Sequence, residues 1–173
     1  MFMRYLFAFC ISLAFPSASS SLYGEENTGA SGVEVIDMQF NESQDTTTGE
    51  KGSILIHIEN IKNTNGRIAI ALYNSEEGFP DKPEMAYALA NTSINGTSRA
   101  VVIENIPYGT YALSILHDEN ANDKMDKTWI GKPKEGFGTS NNPKIRLRAP
   151  KFEESGFLLD SEGIAIAINM KYL

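Results

Sequence analysis

Short apolar runs with strict alternation constrain the fold of this 173-residue chain more than any other feature. Isoleucine or leucine recurs at every second position in residues 53–59 and 67–73, so each segment has one apolar face, as a half-buried β-strand does. Further strand-like runs lie at 87–94, 98–104, 110–116, 156–160 and 163–172. The sequence therefore predicts an all-β domain, an antiparallel two-sheet sandwich of about seven strands.

Turn residues predict how these strands connect. The Asn-Thr-Asn-Gly segment at 63–66 favours an antiparallel hairpin between the first two strands. Asn95 and Gly96 both accept positive φ and predict a second hairpin. At 106–109, proline fixes φ and Gly109 is expected to supply the left-handed residue of a tight turn.

The N-terminus is typical of an export signal. Arg4 provides a positive charge, residues 5–15 are apolar, and residues 16–21 are mostly small. This apolar run is shorter than the ~20 residues of a membrane-spanning helix, which disfavours the alternative of a retained anchor. We predict a signal peptide at 1–20, a periplasmic or secreted location, and no transmembrane segment in the mature chain. The single cysteine, Cys10, would be lost with the signal, leaving no disulfide and no cysteine nucleophile.

Residues 21–50 contain seven acids and no lysine or arginine, whereas residues 51–173 contain 15 acids and 14 bases. The first segment predicts an acidic flexible leader, with an added edge strand at 33–40 as the alternative reading. The second predicts the β-sandwich domain. A net charge of −7 argues against a nucleic-acid partner, because binding phosphates requires a basic face.

The polar decapeptide at 117–126 is the main candidate site. Side-chain oxygens at alternate positions, in Asp118, Asn120 and Asn122, suit a calcium loop that adds the Lys124 carbonyl and Asp126, and Glu135 could complete the shell. Two residues depart from the EF-hand template: Asp123 replaces the turn glycine, and Trp129 replaces the final glutamate. The alternative is a metal-free turn, since Asn and Asp side chains bond to their own backbone. The sequence thus leaves two interpretations of the decapeptide open: a loop that binds calcium and a loop that binds no cofactor.

Three further hypotheses involve neighbouring residues. His57 and His117 would form a transition-metal site with Asp118 if their strands were adjacent. Trp129 and Phe137, with Phe152, would line a ligand groove for a sugar or peptide beside His117, or they would simply cover the end of the sandwich. The basic stretch at 124–151 would form a membrane-surface patch, or it would be a solvated loop neutralised by the leader.

No nucleophile elbow, metalloprotease, P-loop or dinucleotide motif is present in the sequence, so we assign no catalytic residue. The leading hypothesis is an exported, non-catalytic binding or scaffolding module of the cell envelope. Its partner would be an envelope protein, a glycan or a lipid head group. The alternatives are a small hydrolase that uses carboxylates or His117, and a protein that associates with the envelope surface through the basic stretch.

Three motifs in order resemble an uncharacterised bacterial family, domain of unknown function 2141. They are Ile-Pro-Tyr-Gly-Thr-Tyr-Ala at 106–112, His-Asp-Glu-Asn-x-Asn-x-Lys-x-Asp at 117–126, and Gly-x-Pro-x-Glu-Gly-x-Gly-x-Ser-Asn-Asn at 131–142. The family pattern usually has glycine where this chain has Asp123. The resemblance covers residues 52–172 and implies an exported Ig-like or transthyretin-like sandwich, but it brings no activity or catalytic residue.

Overall fold

The computed structural model describes residues 32–41, 49–144 and 148–173. The predicted signal peptide and most of the predicted leader lie outside these residues. The described chain contains ten strands, a 3-10 turn at Pro83–Met85 and a short helix α1 at Phe152–Ser155. The strands are β1 Val33–Val35, β2 Gln39–Phe40, β3 Lys51–Glu59, β4 Arg67–Tyr73, β5 Ala88–Thr92, β6 Ser98–Pro107, β7 Gly109–Asp118, β8 Gly136–Thr139, β9 Phe157–Leu159 and β10 Gly163–Asn169.

The strands form two sheets, as the sequence predicts. The first sheet has the order β1-β6-β3-β10, and the second has the order β2-β5-β4-β7-β8, with β9 also paired to β7. The alternating isoleucines of β3 and β4, including Ile56 and Ile70, are almost completely buried in one common core. Alternation thus provides each sheet with one apolar face, and burying the two faces against each other stabilises the pair.

The two predicted hairpins are wrong. Strand β3 pairs with β6 and β10, whereas β4 pairs with β5 and β7, so the 63–66 turn leads from one sheet to the other. Likewise β5 and β6 lie in different sheets, and neither Asn95 nor Gly96 has positive φ. Local turn chemistry did not decide the pairing. Each segment has an apolar face, and crossing between sheets brings those faces together.

A sharp corner, rather than a left-handed glycine turn, joins β6 to β7. Only Tyr108 separates the two strands, which belong to different sheets, and Gly109 does not have positive φ. A side chain at Gly109 would lie 3.3 Å from the ring of Tyr111. The Tyr111 hydroxyl donates to the Pro107 carbonyl at 2.9 Å and closes the corner. Glycine is therefore used here for close approach, and the predicted backbone conformation was wrong.

The sandwich is not purely antiparallel, and it has more strands than expected. Strand β1 runs parallel to β6, and β10 runs parallel to β3. Residues 33–40 supply one edge strand to each sheet, with Ile36 buried between them. Strand β8 comes from the long stretch that lacked strand periodicity. Within the part of the chain that the structure describes, no helix has the length and apolar character to cross a membrane.

The buried Tyr111 phenol predicts a loss of stability at alkaline pH. Burial, with a smaller contribution from Tyr87, raises the pKa of Tyr111 to about 12. Since the phenol of an unfolded chain titrates near ~10, the stabilisation is complete below pH ~10 and is lost as the pH rises to about 12. We expect the free energy of unfolding, measured with urea, to fall through this window. The fall should be smaller in Tyr111→Phe, and equal slopes in both proteins would contradict this assignment.

Candidate functional site

One end of the second sheet contains most of the predicted site residues. We call residues 117–142 the loop end. Strand β4 begins here and β7 finishes here, with Arg67 opposite Asp118 in the register. Strand β8 then returns antiparallel to β7, pairing Gly136 with His117. The decapeptide and the segment that follows it are therefore anchored at both ends to the same strand.

Asp118 is the fully buried centre of the decapeptide. Its Oδ1 accepts the amide of Asn122 at 3.0 Å, and its Oδ2 accepts the amide of Asp123 at 2.9 Å. The Arg67 guanidinium also donates to Oδ2, from Nε and Nη2, each at 3.3 Å. A carboxylate that receives amides and a cation in this way orders the loop from inside.

Asp123 stands where the EF-hand template has its turn glycine, and it adopts the left-handed conformation at φ 62°. Aspartate tolerates this conformation better than most side chains do. Its carboxylate forms an ion pair with Arg67. Asp123, followed by Asp118, raises the pKa of the Arg67 guanidinium above its usual value. Aspartate at position 123 therefore adopts the conformation of a tight turn and places a second acid beside Arg67.

Glu135 is buried and connects the decapeptide to the segment that follows. Its Oε1 accepts the Glu119 amide at 3.0 Å, and its Oε2 accepts the Asp126 amide at 2.9 Å. The sequence predicted Glu135 as the residue that reaches back to the loop. In the structure its oxygens meet backbone amides at the beginning and end of the loop.

The other predicted calcium ligands also bond within the loop. Asn120 and Asn122 donate their side-chain amides to the two oxygens of Asp126, at 2.9 and 3.3 Å. The Asn122 side-chain oxygen accepts the amide of Lys124 at 2.9 Å. Within the described residues, no group of three or more acids and histidines is arranged to hold a metal ion. These contacts are those of an Asx-rich turn, the alternative that the sequence left open.

His117 is fully buried, and both of its ring nitrogens are bonded. Its Nε2 faces the Asn65 carbonyl at 2.9 Å, so Nε2 carries the hydrogen. Its Nδ1 lies 2.7 Å from the Tyr172 hydroxyl, which also accepts the Lys62 amide at 3.0 Å. His57 lies on β3 in the other sheet, so the predicted His-His-Asp metal site is not formed. His117 fastens the 63–66 turn and the C-terminus to the loop end.

A small hairpin projects from the loop end, and we call residues 127–133 the tip hairpin. Lys127 and Pro133 form its bridge, and the Thr128 amide donates to the Lys132 carbonyl at 2.8 Å. Gly131, at φ 80°, donates its amide to the Thr128 carbonyl at 2.8 Å. This is a closed, hydrogen-bonded turn.

Trp129 and Ile130 occupy the outer corner of the tip hairpin. Trp129 is 96% exposed and Ile130 is 65% exposed. The other predicted groove aromatics have different surroundings. Phe137 is half-buried on β8, and the ring of Phe152 packs edge to face on Phe79 at 5.9 Å. Trp129 therefore stands out in solvent instead of lining a wall with Phe137 and Phe152.

The predicted basic stretch divides into two parts. Four exposed lysines lie in or beside the tip hairpin, namely Lys124, Lys127, Lys132 and Lys134. Further along the chain, the Arg148 guanidinium donates to both oxygens of Glu154 at 2.8 Å, and that carboxylate raises the pKa of Arg148. Arg146 lies outside the described residues. Lys144 and Lys151 are exposed as well, so four of the six lysines in the described part of the stretch lie in or beside the tip hairpin.

Two shallow depressions lie away from the decapeptide. One, of about 280 Å³, lies among Lys51, Gly52, Ser53, Glu104, Asn105 and Glu162. The other, of about 260 Å³, lies at the β6–β7 corner among Asn74, Tyr87 and residues 107–111. Neither contains His117, Asp118, Asp126 or Glu135, the residues on which the hydrolase hypothesis depends.

Comparison with known proteins assigns the chain to a family. A family model described as "Uncharacterized protein conserved in bacteria (DUF2141)" matches residues 56–167. The chain belongs to the DUF2141 family. The DUF2141 region begins inside β3, ends inside β10 and contains the whole loop end, as the three sequence motifs predicted. No curated protein and no solved structure matches the chain significantly.

Sequence reasoning missed two side chains that hold this site together. Arg67 and Tyr172 are distant from the decapeptide in sequence, yet they bond to Asp118 and His117. Only the pairing of β4 with β7 brings Arg67 close, and that pairing was not predicted. The lone arginine at the start of an apolar strand was the available signal.

Proposed function

We propose that this protein is an exported, non-catalytic β-sandwich binding module of the cell envelope, and that the loop end is its working surface. One observation carries the proposal: Trp129 and Ile130 are held in solvent on a closed hairpin. Tryptophan gains more than most residues from burial in an interface and is enriched in binding hot spots.

The chemistry of the loop supports a scaffold rather than a reaction site. His117 and Asp118 do not reach solvent, and both oxygens of Glu135 accept backbone amides. A general base must lie within hydrogen-bond reach of a substrate. The buried side chains of His117, Asp118 and Glu135 are bonded inside the protein instead. Their contacts instead fix the backbone that carries the tip hairpin.

Export is the part of the proposal that rests on sequence alone. The basic start, the apolar run at 5–15 and the small residues that follow lie outside the described residues. They support a periplasmic or secreted location for the folded domain.

For the fold, we infer an Ig-like sandwich. The pairs β3–β6 and β4–β7 occupy different sheets, with β5 and β8 flanking the second pair. This resembles the Ig-type arrangement of a central strand pair in each sheet. The bond from Tyr111 to Pro107 across the β6–β7 corner is similar to the tyrosine corner of Ig-like domains.

The binding proposal requires no metal, so calcium is tested separately. Because the Asp118 and Glu135 oxygens already accept amides, we expect several millimolar calcium to leave the melting temperature unchanged relative to a chelator-treated sample. Magnesium serves as the control ion. A calcium-specific rise that disappears in Asp118→Asn would restore the calcium reading of the loop.

Site-directed photo-cross-linking tests the proposal directly. A photoreactive phenylalanine analogue replaces Trp129 in one protein and Leu158 in another, and each is produced in bacteria and irradiated. Leu158 is a matched control, since it is apolar, 54% exposed, and pairs with Thr110 near the opposite end of β7. We expect specific adducts at position 129, whether to protein, glycan or lipid, and none at 158. Equal yields at both positions, or none at either, would remove the loop end as the working surface.

A further inference from the structure

We infer that the partner of the tip hairpin is an anionic phospholipid bilayer surface, into which Trp129 and Ile130 insert. This inference rests on the proposed function, because it names the partner of the same surface. Three observations carry it: the small size of the apolar tip, the charge around it, and the stiffness of its base.

The apolar tip is too small for a protein interface of its own. An aromatic side chain buries about 150–250 Å², whereas each partner of a stable protein complex buries about 800 Å². Trp129 and Ile130 together therefore provide less than half of that area. Lipid docking has no such threshold, since a few apolar side chains at the acyl boundary, helped by basic residues, are enough. The indole is also the side chain most suited to the region between water and hydrocarbon.

The charge around the tip has the sign that anionic lipid requires. Residues 124–134 contain four lysines and one acid, Asp126, so their net charge is 4 − 1 = +3. Lys127 also lies 3.3 Å from Asp81, in a pair where both side chains are about half exposed. Exposed pairs of this kind are weak and screened by salt, so lipid phosphate can compete for Lys127. A basic rim around an apolar tip fits a phosphate-rich surface.

The stem of the tip hairpin is fixed before any partner arrives. The Lys134 amide donates to the Asp126 carbonyl at 2.8 Å, and the Asp126 amide donates to buried Glu135 at 2.9 Å. Lys127 and Pro133 form the next antiparallel bridge between the two sides of the hairpin. A tip held in this way loses little conformational freedom on docking, which strengthens binding.

Trp129 is the only tryptophan of the chain, so its own fluorescence reports the event. The full chain is mixed with vesicles of phosphatidylcholine alone or of phosphatidylcholine with phosphatidylglycerol. Docking predicts a blue shift of the indole emission and quenching by bromine-labelled acyl chains, with the anionic vesicles only. Raised salt should weaken both effects. The N-terminal segment, with Arg4 and the apolar run at 5–15, is the same in the Ile130→Ser variant described next, so that variant controls for vesicle contact made by this segment.

Two single variants keep the tryptophan and test the tip. Ile130→Ser should raise the lipid concentration at half-maximal shift about tenfold, from the loss of one buried aliphatic side chain. Lys132→Gln should raise it about fivefold, from the loss of one charge near the surface. The matched controls are Leu158→Ser and Lys51→Gln, an exposed leucine on β9 and an exposed lysine on β3 opposite Pro107. Both should behave like the unmodified chain.

The possible results separate this inference from the proposed function. A shift that is equal in neutral and anionic vesicles, or unchanged in Ile130→Ser, overturns the lipid assignment. Protein adducts at position 129 without any fluorescence shift also overturn it, while leaving the loop end as a binding surface. A shift restricted to anionic vesicles, together with lipid adducts at 129, supports both.

Discussion

Replacing Asp118 with alanine is expected to destabilise the domain by about 3 kcal/mol. The change removes the acceptor of two loop amides and leaves the Arg67 guanidinium, which is only 29% exposed, without its buried acid. Urea unfolding at neutral pH measures the loss. The tip hairpin would also lose its support, because the decapeptide that leads into it would no longer be ordered from inside.

Asp118→Asn and Asp126→Ala are the matched variants for this prediction. Asparagine keeps one acceptor oxygen, so we expect a loss of about 1–2 kcal/mol. Asp126 is partly exposed, and its carboxylate accepts the side-chain amides of Asn120 and Asn122, so its removal should cost less than about 1 kcal/mol. Equal losses in Asp118→Ala and Asp126→Ala would show that the buried carboxylate does not have the central role assigned to it.

Gly66→Ala should have an effect of similar size for a different reason. Gly66 has φ 65°, and a Cβ there would overlap the backbone carbonyl of Asp118. The backbone of the 63–66 turn, or the end of β7, must therefore move, and the left-handed conformation adds strain. We expect a loss of about 2–4 kcal/mol in urea unfolding.

Gly96→Ala is the matched control for Gly66→Ala. Gly96 also lies in a connection between the two sheets, but it lacks positive φ, and a Cβ there would meet nothing within 4 Å. We expect a change within about 0.5 kcal/mol, or a slight stabilisation from the reduced freedom of the unfolded chain. If both variants lost the same stability, close packing of the 63–66 turn on Asp118 would be refuted.

Strand positions were predictable from sequence, whereas strand pairing was not. The alternation of apolar and other residues in β3, β4 and β10 indicates which face of each strand is buried, and this pattern can be recognised within the segment itself. Pairing depends on contacts between segments far apart in the chain. Thus Asn95-Gly96, a strong hairpin signal, lies on a connection between sheets. The short strands β1, β2 and β8 carry too few residues to show a period.

The position of the candidate loop in the chain was predictable from the sequence, but the hydrogen-bond partners of its side chains were not. The decapeptide follows a strand, as the sequence predicted, and Glu135, which the sequence offered as a further calcium ligand, accepts two backbone amides of the loop. Sequence could not decide whether the oxygens would face a cation or backbone amides, because Asn and Asp suit both. The exposure of Trp129 was also not predictable. Tryptophan is highly buried on average, and only the structure shows that this one, on the closed turn at 128–132, faces water.

Amide hydrogen exchange tests the central claim most directly, namely that carboxylates inside the loop hold the tip hairpin in place. In chelator-treated protein, the amides of Glu119, Asn122, Asp123 and Asp126 should exchange slowly, since each donates to a buried carboxylate. In Glu135→Ala, the amides of Glu119 and Asp126 should exchange much faster while the two held by Asp118 remain protected. Fast exchange of all four in the unmodified protein, or protection that appears only with calcium, would contradict the account.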